Sequence, residues 1–169
     1  MKPRARPGPA VATAGALLAV YVPTMARGPT FYDSPELALV AHELGVGHPA
    51  GQPLHSILGH LFAHLPGLSP HAGLTLMSAL CGALCVLPAW SLAERLAPAG
   101  GRRATLGRAA ALFGVGVSPL AWEPATRVEV YALAPLLGAT AVALAPRTRR
   151  LREHLAVGGL LGLAACAHL

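Results

Sequence analysis

Apolar and charged positions fall in blocks along this chain, and the blocks predict helices long enough to cross a membrane. Residues 7–26 carry no charge and form the first predicted span, with Pro23 kinking or ending it. A cleaved signal peptide, closing on Thr24-Met25-Ala26, is the competing reading of that stretch. The second span is 72–93, bounded by Glu94 and Arg95. The third, 104–122, has a strictly uncharged part of only 109–122, so Arg108 must snorkel to the headgroups. The fourth is 129–146. The fifth begins at Leu155 and is still apolar at Leu169, which predicts the N-terminal part of a longer domain or an early stop. The expected fold is an all-α membrane protein: one multi-span helical bundle over 1–169, of about five spans, with a first extracytoplasmic loop over 27–71.

Charge orients this pattern. Of 13 Lys and Arg, all but Arg27 and Arg127 lie in three clusters: Lys2, Arg4 and Arg6; Arg95, Arg102, Arg103 and Arg108; Arg147, Arg149, Arg150 and Arg152. Asp33, Glu36, Glu43, Glu123 and Glu129 lie between those clusters. Cytoplasmic loops are enriched in Lys and Arg, so the N-terminus is expected in the cytoplasm and the acids on the far side.

Composition agrees with membrane residence: 54% hydrophobic, 12% charged, mean hydropathy +0.54. The pI near 10.0 does not imply nucleic acid, because the basic residues are split among short loops and aromatics make up only 5%. Anionic lipid headgroups are the expected partner of that charge. Three cysteines, Cys81, Cys85 and Cys166, lie in apolar stretches and read as packing residues.

The 27–71 loop holds six of the eight histidines and the first candidate chemistry. Ser34-Pro35-Glu36 reads as a helix start, with Ser34 as cap and the helix running about 35–44 to Gly45. Leu37, Val40, Ala41 and Leu44 make one apolar stripe, which predicts an interfacial helix at the membrane surface. Phe31 and Tyr32 would anchor it among the headgroups. Asp33, just before the helix, can take a proton from a hydroxyl or hold a cation; simple capping is the alternative. The Gly- and Pro-rich run 45–54 predicts a rigid turn presenting His48 and Gln52, and a helix follows over roughly 53–65. His60 and His64 share one face of it, but with no HExxH pattern they read as solvated interfacial histidines, and no metal ligands are assigned.

A third motif, 122–131, is the short outer turn between spans three and four. Glu129 is expected to open the fourth helix, and Arg127 is a candidate for an anionic headgroup or phosphate. Trp122 and Tyr131 read as interface anchors, with Tyr131 also a candidate substrate contact. His168 is a weak intramembrane candidate.

Taken in order, Asp33–Leu37, Leu44–Leu54, Met77–Leu80 and Val128–Leu133 resemble the N-terminal part of a large bacterial membrane family. That family is related to the vertebrate O-mannosyltransferase of IPT domains and is similar to GT-C glycosyltransferases. Pro35 stands where the resemblance leads one to expect Gly, and Ala50 where it leads one to expect Pro; Ala167-His168-Leu169 resembles an Asn-His-Leu stretch. The resemblance implies a GT-C-like bundle in the bacterial inner membrane. It would transfer a sugar from a polyprenyl-phosphate donor to an acceptor hydroxyl on a protein or glycan, on the extracytoplasmic side. Asp33 would be the general base or a metal ligand, and Arg127 or His48 would stabilise the phosphate leaving group. Glu36 and Glu129 would position sugar or acceptor. No cofactor is fixed, though magnesium or manganese is compatible with Asp33. The other readings are a non-catalytic remnant and a transport component; the latter would need ionisable groups along its path, and no acid lies deep in spans one to three.

Overall fold

The computed structural model of the chain describes residues 7–49 and 51–168, the last by its backbone alone. Lys2, Arg4, Arg6, Ala50, Leu169 and the side chain of His168 therefore lie outside the described residues. Among the described residues the fold is all-helical: α1 Gly8–Thr24, α2 Ser34–Glu43, α3 Pro53–Ala63, α4 Pro70–Leu84, α5 Val86–Leu96, α6 Gly101–Gly116, α7 Pro119–Ala125, α8 Leu133–Leu144 and α9 Leu151–His168. A 3-10 turn, Ala145–Arg147, closes α8.

Within the described residues, α4 and α5 together form the one helix, Pro70–Leu96, that is long and apolar enough to cross a bilayer by itself. A second arises if α6 and α7, bent by 66° at their junction, count as one span. Pro119 sits where α7 restarts, and its fixed φ and missing N–H suit a helix start and not a continuation. α1 and Leu133–Arg147 are apolar but shorter. The expectation of about five spans thus reduces to an all-helical chain with one clear membrane-capable helix.

Several element starts differ from the sequence reading. The long helix begins at Pro70 and not at 72, because the Ser69 hydroxyl accepts the Ala72 N–H at 3.2 Å. α9 begins at Leu151 and not at Leu155, since Glu153 caps it by accepting the N–H groups of Arg149 and Arg150 at 2.6 and 3.0 Å. α8 begins at Leu133, four residues after Glu129, because Pro135 is tolerated only in a first turn. Glu129 therefore stands in the connecting turn and does not open the helix.

Two apolar clusters organise the packing. Ala14, Leu17 and Tyr21 of α1 meet Ala79, Ala83 and Val86, with Ala125 of α7 joining them. The buried Tyr21 hydroxyl donates to the Gly116 carbonyl at 2.7 Å, tying α1 to the end of α6. The second cluster joins Leu37 and Ala41 of α2, Ala63 of α3, and Leu74 and Met77 of α4 to Val128, Val130, Ala132 and Leu133. Here the helices nearly touch: a Cβ at Gly73 would lie 1.9 Å from the Phe62 carbonyl oxygen. Leu37, Val40 and Ala41 are buried in this packing, so the apolar stripe of α2 faces protein and only Leu44 is exposed. The expected surface-lying helix is instead a packed layer, because a stripe of this width finds an equally apolar partner in α3 and α4.

Candidate functional site

The site is built where the end of α1, the start of α2 and the α7–α8 turn meet. The Ala26 N–H donates to the Thr126 carbonyl at 2.8 Å, and the Trp122 indole N–H donates to the Thr24 hydroxyl at 3.2 Å. Tyr32, at φ 65°, turns the chain into α2 and leaves its ring exposed. Asp33 occupies the capping position, and its carbonyl accepts the Leu37 N–H at 2.8 Å. Its carboxylate makes no capping hydrogen bond and is left to face the loop. Ser34 is the first helical residue and not the cap; its Oγ is buried without a partner.

α2 ends at Leu44, φ 52°, and the loop doubles back along it. Gly47 makes that return fit, since a Cβ there would sit 3.3 Å from Gln52 Oε1 and 3.6 Å from Glu36 Oε1. The result delivers His48 between two carboxylates. The His48 backbone N–H donates to Glu36 Oε1 at 2.7 Å, and its ring Nδ1 lies 3.2 Å from Glu36 Oε2. Ring Nε2 lies 3.9 Å from Asp33 Oδ2. The His48 N–H, and then its ring, hold the Glu36 carboxyl below the usual carboxylate range. All three side chains remain accessible, so this carboxylate–imidazole–carboxylate row can exchange a proton with a hydroxyl presented to it.

Gln52 departs from expectation. It caps α3 in a left-handed conformation and is 6% exposed, so the turn buries it behind Glu36 instead of presenting it. Its Oε1 has no hydrogen-bond partner. One turn on, His55 is wholly buried with both ring nitrogens unpartnered, and burial pushes its pKa down to about 4. His42, His60 and His64 are not independently solvated. The His42 and His64 rings stack at 4.7 Å, those of His60 and His64 lie 4.2 Å apart, and His60 Nδ1 sits 3.1 Å from the Ala41 carbonyl. Among the described residues, no group of three or more His, Cys, Asp or Glu is arranged to hold a metal ion.

The α7–α8 turn supplies the other wall. Arg127 pairs with Glu123, an i,i+4 spacing legible in the sequence, so the predicted anion contact already has an acidic partner. Glu123, Arg127, Glu129, Tyr131 and Tyr32 line a cleft of 430 Å³. Burial first, then the neighbouring Asp33 charge, raises the Glu129 pKa, with Arg127 opposing. The cleft continues into an apolar cavity of 270 Å³ reaching Leu17, Tyr21, Val86 and Leu112; Leu120, Pro124, Tyr131 and Pro135 line both. Periodicity gave no sign of this cavity, which depends on the bend between α6 and α7.

The structure thus brings Asp33, Glu36 and His48 together, sets Arg127, Glu129 and Tyr131 on the adjoining cleft, and buries Gln52. The fold has no match among solved structures. Sequence relatives are informative. A mouse protein, Protein O-mannosyl-transferase TMEM260, is 34% identical over 138 residues, covering 81% of this chain and 19% of its own length. A Dictyostelium discoideum protein, Protein O-mannosyl-transferase tmem260, is 52% identical over 33 residues, 20% of this chain and 4% of its own. The chain thus spans less than a fifth of these relatives. With the family model for the Protein O-mannosyl-transferase TMEM260 N-terminal domain matching residues 33–169, from the Asp33 turn to the end of α9, the chain belongs to that family.

Proposed function

We propose that this chain forms the donor-facing part of a GT-C-type membrane glycosyltransferase. It moves a sugar from a polyprenyl-phosphate donor to an acceptor hydroxyl on the extracytoplasmic side of a bacterial inner membrane. The observation that carries the reading is the junction of a polar cleft with an apolar cavity, beside a carboxylate–imidazole–carboxylate row. A lipid-linked sugar has this division: an apolar chain, then an anionic group, then the reacting carbon.

In this reading the prenyl chain lies along Leu17, Tyr21 and Leu112, and the phosphate meets Arg127 at the rim. Glu129, on the wall of the cleft beside Arg127, positions the sugar or acceptor. Asp33 takes the proton from the acceptor hydroxyl as the oxygen attacks the anomeric carbon, and the C–O bond to the phosphate breaks. Glu36 holds the His48 ring so that the departing proton is shared across the row. The arginine clusters support an orientation with the opposite end of the bundle in the cytoplasm.

Replacing Asp33 with Asn in the full-length protein and supplying membranes with a radiolabelled polyprenyl-phosphate sugar tests this. Loss of a general base predicts a fall in turnover of about 10²–10⁴-fold with unchanged membrane insertion. Unchanged turnover removes Asp33 from the mechanism.

A further inference from the structure

A second amphipathic groove lies between α5 and α8, at the arginine-rich end of the bundle. It encloses 360 Å³, with walls from Leu84, Leu87, Leu136 and Leu144 and a polar end at Ser91 and Arg147. Arg147 is the last residue of the 3-10 turn, and two of its contacts fix it there. Its Nη1 donates to the Ala143 carbonyl at 2.8 Å and its Nη2 to the Ser91 hydroxyl at 3.0 Å. A guanidinium has five N–H donors, so others remain to be used.

No carboxylate pairs with Arg147 among the described residues. Glu153, in the adjoining cleft, is committed to the backbone of Arg149 and Arg150. One turn beyond Ser91, Arg95 also has a buried Nη1 with no partner. An oriented guanidinium at the end of an apolar trough, with no acid to neutralise it, calls for an anion that carries its own hydrocarbon.

We propose that this groove binds an anionic phospholipid, its phosphate held by Arg147 and Ser91 and an acyl chain lying along Leu84, Leu87, Leu136 and Leu144. Charge complementarity selects the headgroup, since a zwitterionic lipid would bring an ammonium to an end already crowded with arginines. Planar N–H pairs also match two phosphate oxygens better than a point charge would. The site is separate from the donor cleft and rests only on the bundle lying in a bilayer, not on the proposed transfer reaction.

The full chain in nanodiscs of phosphatidylcholine with a minor share of phosphatidylglycerol provides the test, with retained lipid counted by native mass spectrometry. Wild-type protein should retain phosphatidylglycerol preferentially. Arg147→Gln should reduce that preference about fivefold, the worth of one arginine at an anionic headgroup. Thr140→Phe, which fills the groove and leaves every charge in place, should reduce it comparably. Arg149→Gln and Arg152→Gln should not. Equal losses at Arg149 and Arg152 would mean diffuse attraction and overturn the proposal, as would undiminished preference in Thr140→Phe. Glycerol phosphate should not displace the lipid at millimolar concentration; if it does, the site is for a soluble phosphate.

Discussion

Acid should loosen the helical layer that carries the site, and His55 is the reason. Its ring is wholly buried in α3 with neither nitrogen hydrogen-bonded, so the folded chain holds it neutral down to about pH 4, against an ordinary 6.5. Below pH 6.5 the unfolded chain takes up a proton that the folded chain refuses. The stability associated with the neutral ring is therefore complete above 6.5 and is lost as pH falls toward 4. At about 1.4 kcal/mol per pH unit, the gap is worth on the order of 3 kcal/mol, a large share of a typical net stability. The informative quantity is the difference between wild type and His55→Leu, which has similar bulk and no proton to gain. Chemical unfolding of both, at neutral pH and near pH 4, should show wild type losing about 3 kcal/mol more than the variant. At neutral pH the variant should be no less stable, because no hydrogen bond is given up. Equal acid losses would refute the reasoning and mean that the ring is hydrated or paired.

Two further outcomes follow from packing and charge. Gly73→Ala places a methyl 1.9 Å from the Phe62 carbonyl oxygen and should cost about 3 kcal/mol or more. Gly107→Ala on α6, with nothing within 4 Å, should instead gain about 0.5–1 kcal/mol, and unfolding midpoints that move in the same direction would contradict the close α3–α4 approach. Glu129 has its pKa raised above 4.5, so ionising it works against the fold, and wild type should lose stability relative to Glu129→Gln as pH rises through that raised value. Parallel stability curves from acid to neutral pH would place Glu129 in open water.

Much of this layout was readable in the residues before any coordinates. Ser34-Pro35 and Pro53 fix the starts of α2 and α3 to within a residue, because proline suits only a first helical turn. The same rule at Pro135 would have moved the start of α8 to Leu133 and left Glu129 in the turn. Burial was less legible. The α2 stripe has the same spacing whether lipid or protein covers it, and Gln52 has the same polarity whether a loop exposes or hides it. The meeting of His48 with Glu36 and Asp33 depends on a chain reversal at Gly45–Gly47. Local sequence announces a turn there but not its direction.

The central claim is that one amphipathic donor occupies both the polar cleft and the apolar cavity beside Asp33 and His48. Leu120 lines both spaces, so a photoreactive benzophenone side chain at that position reports on it directly. Irradiated with polyprenyl-phosphate sugar in membranes, the Leu120 probe should capture the donor, while one at Leu61, exposed on α3, should not. Capture at both positions alike, or at Leu61 alone, would contradict the account.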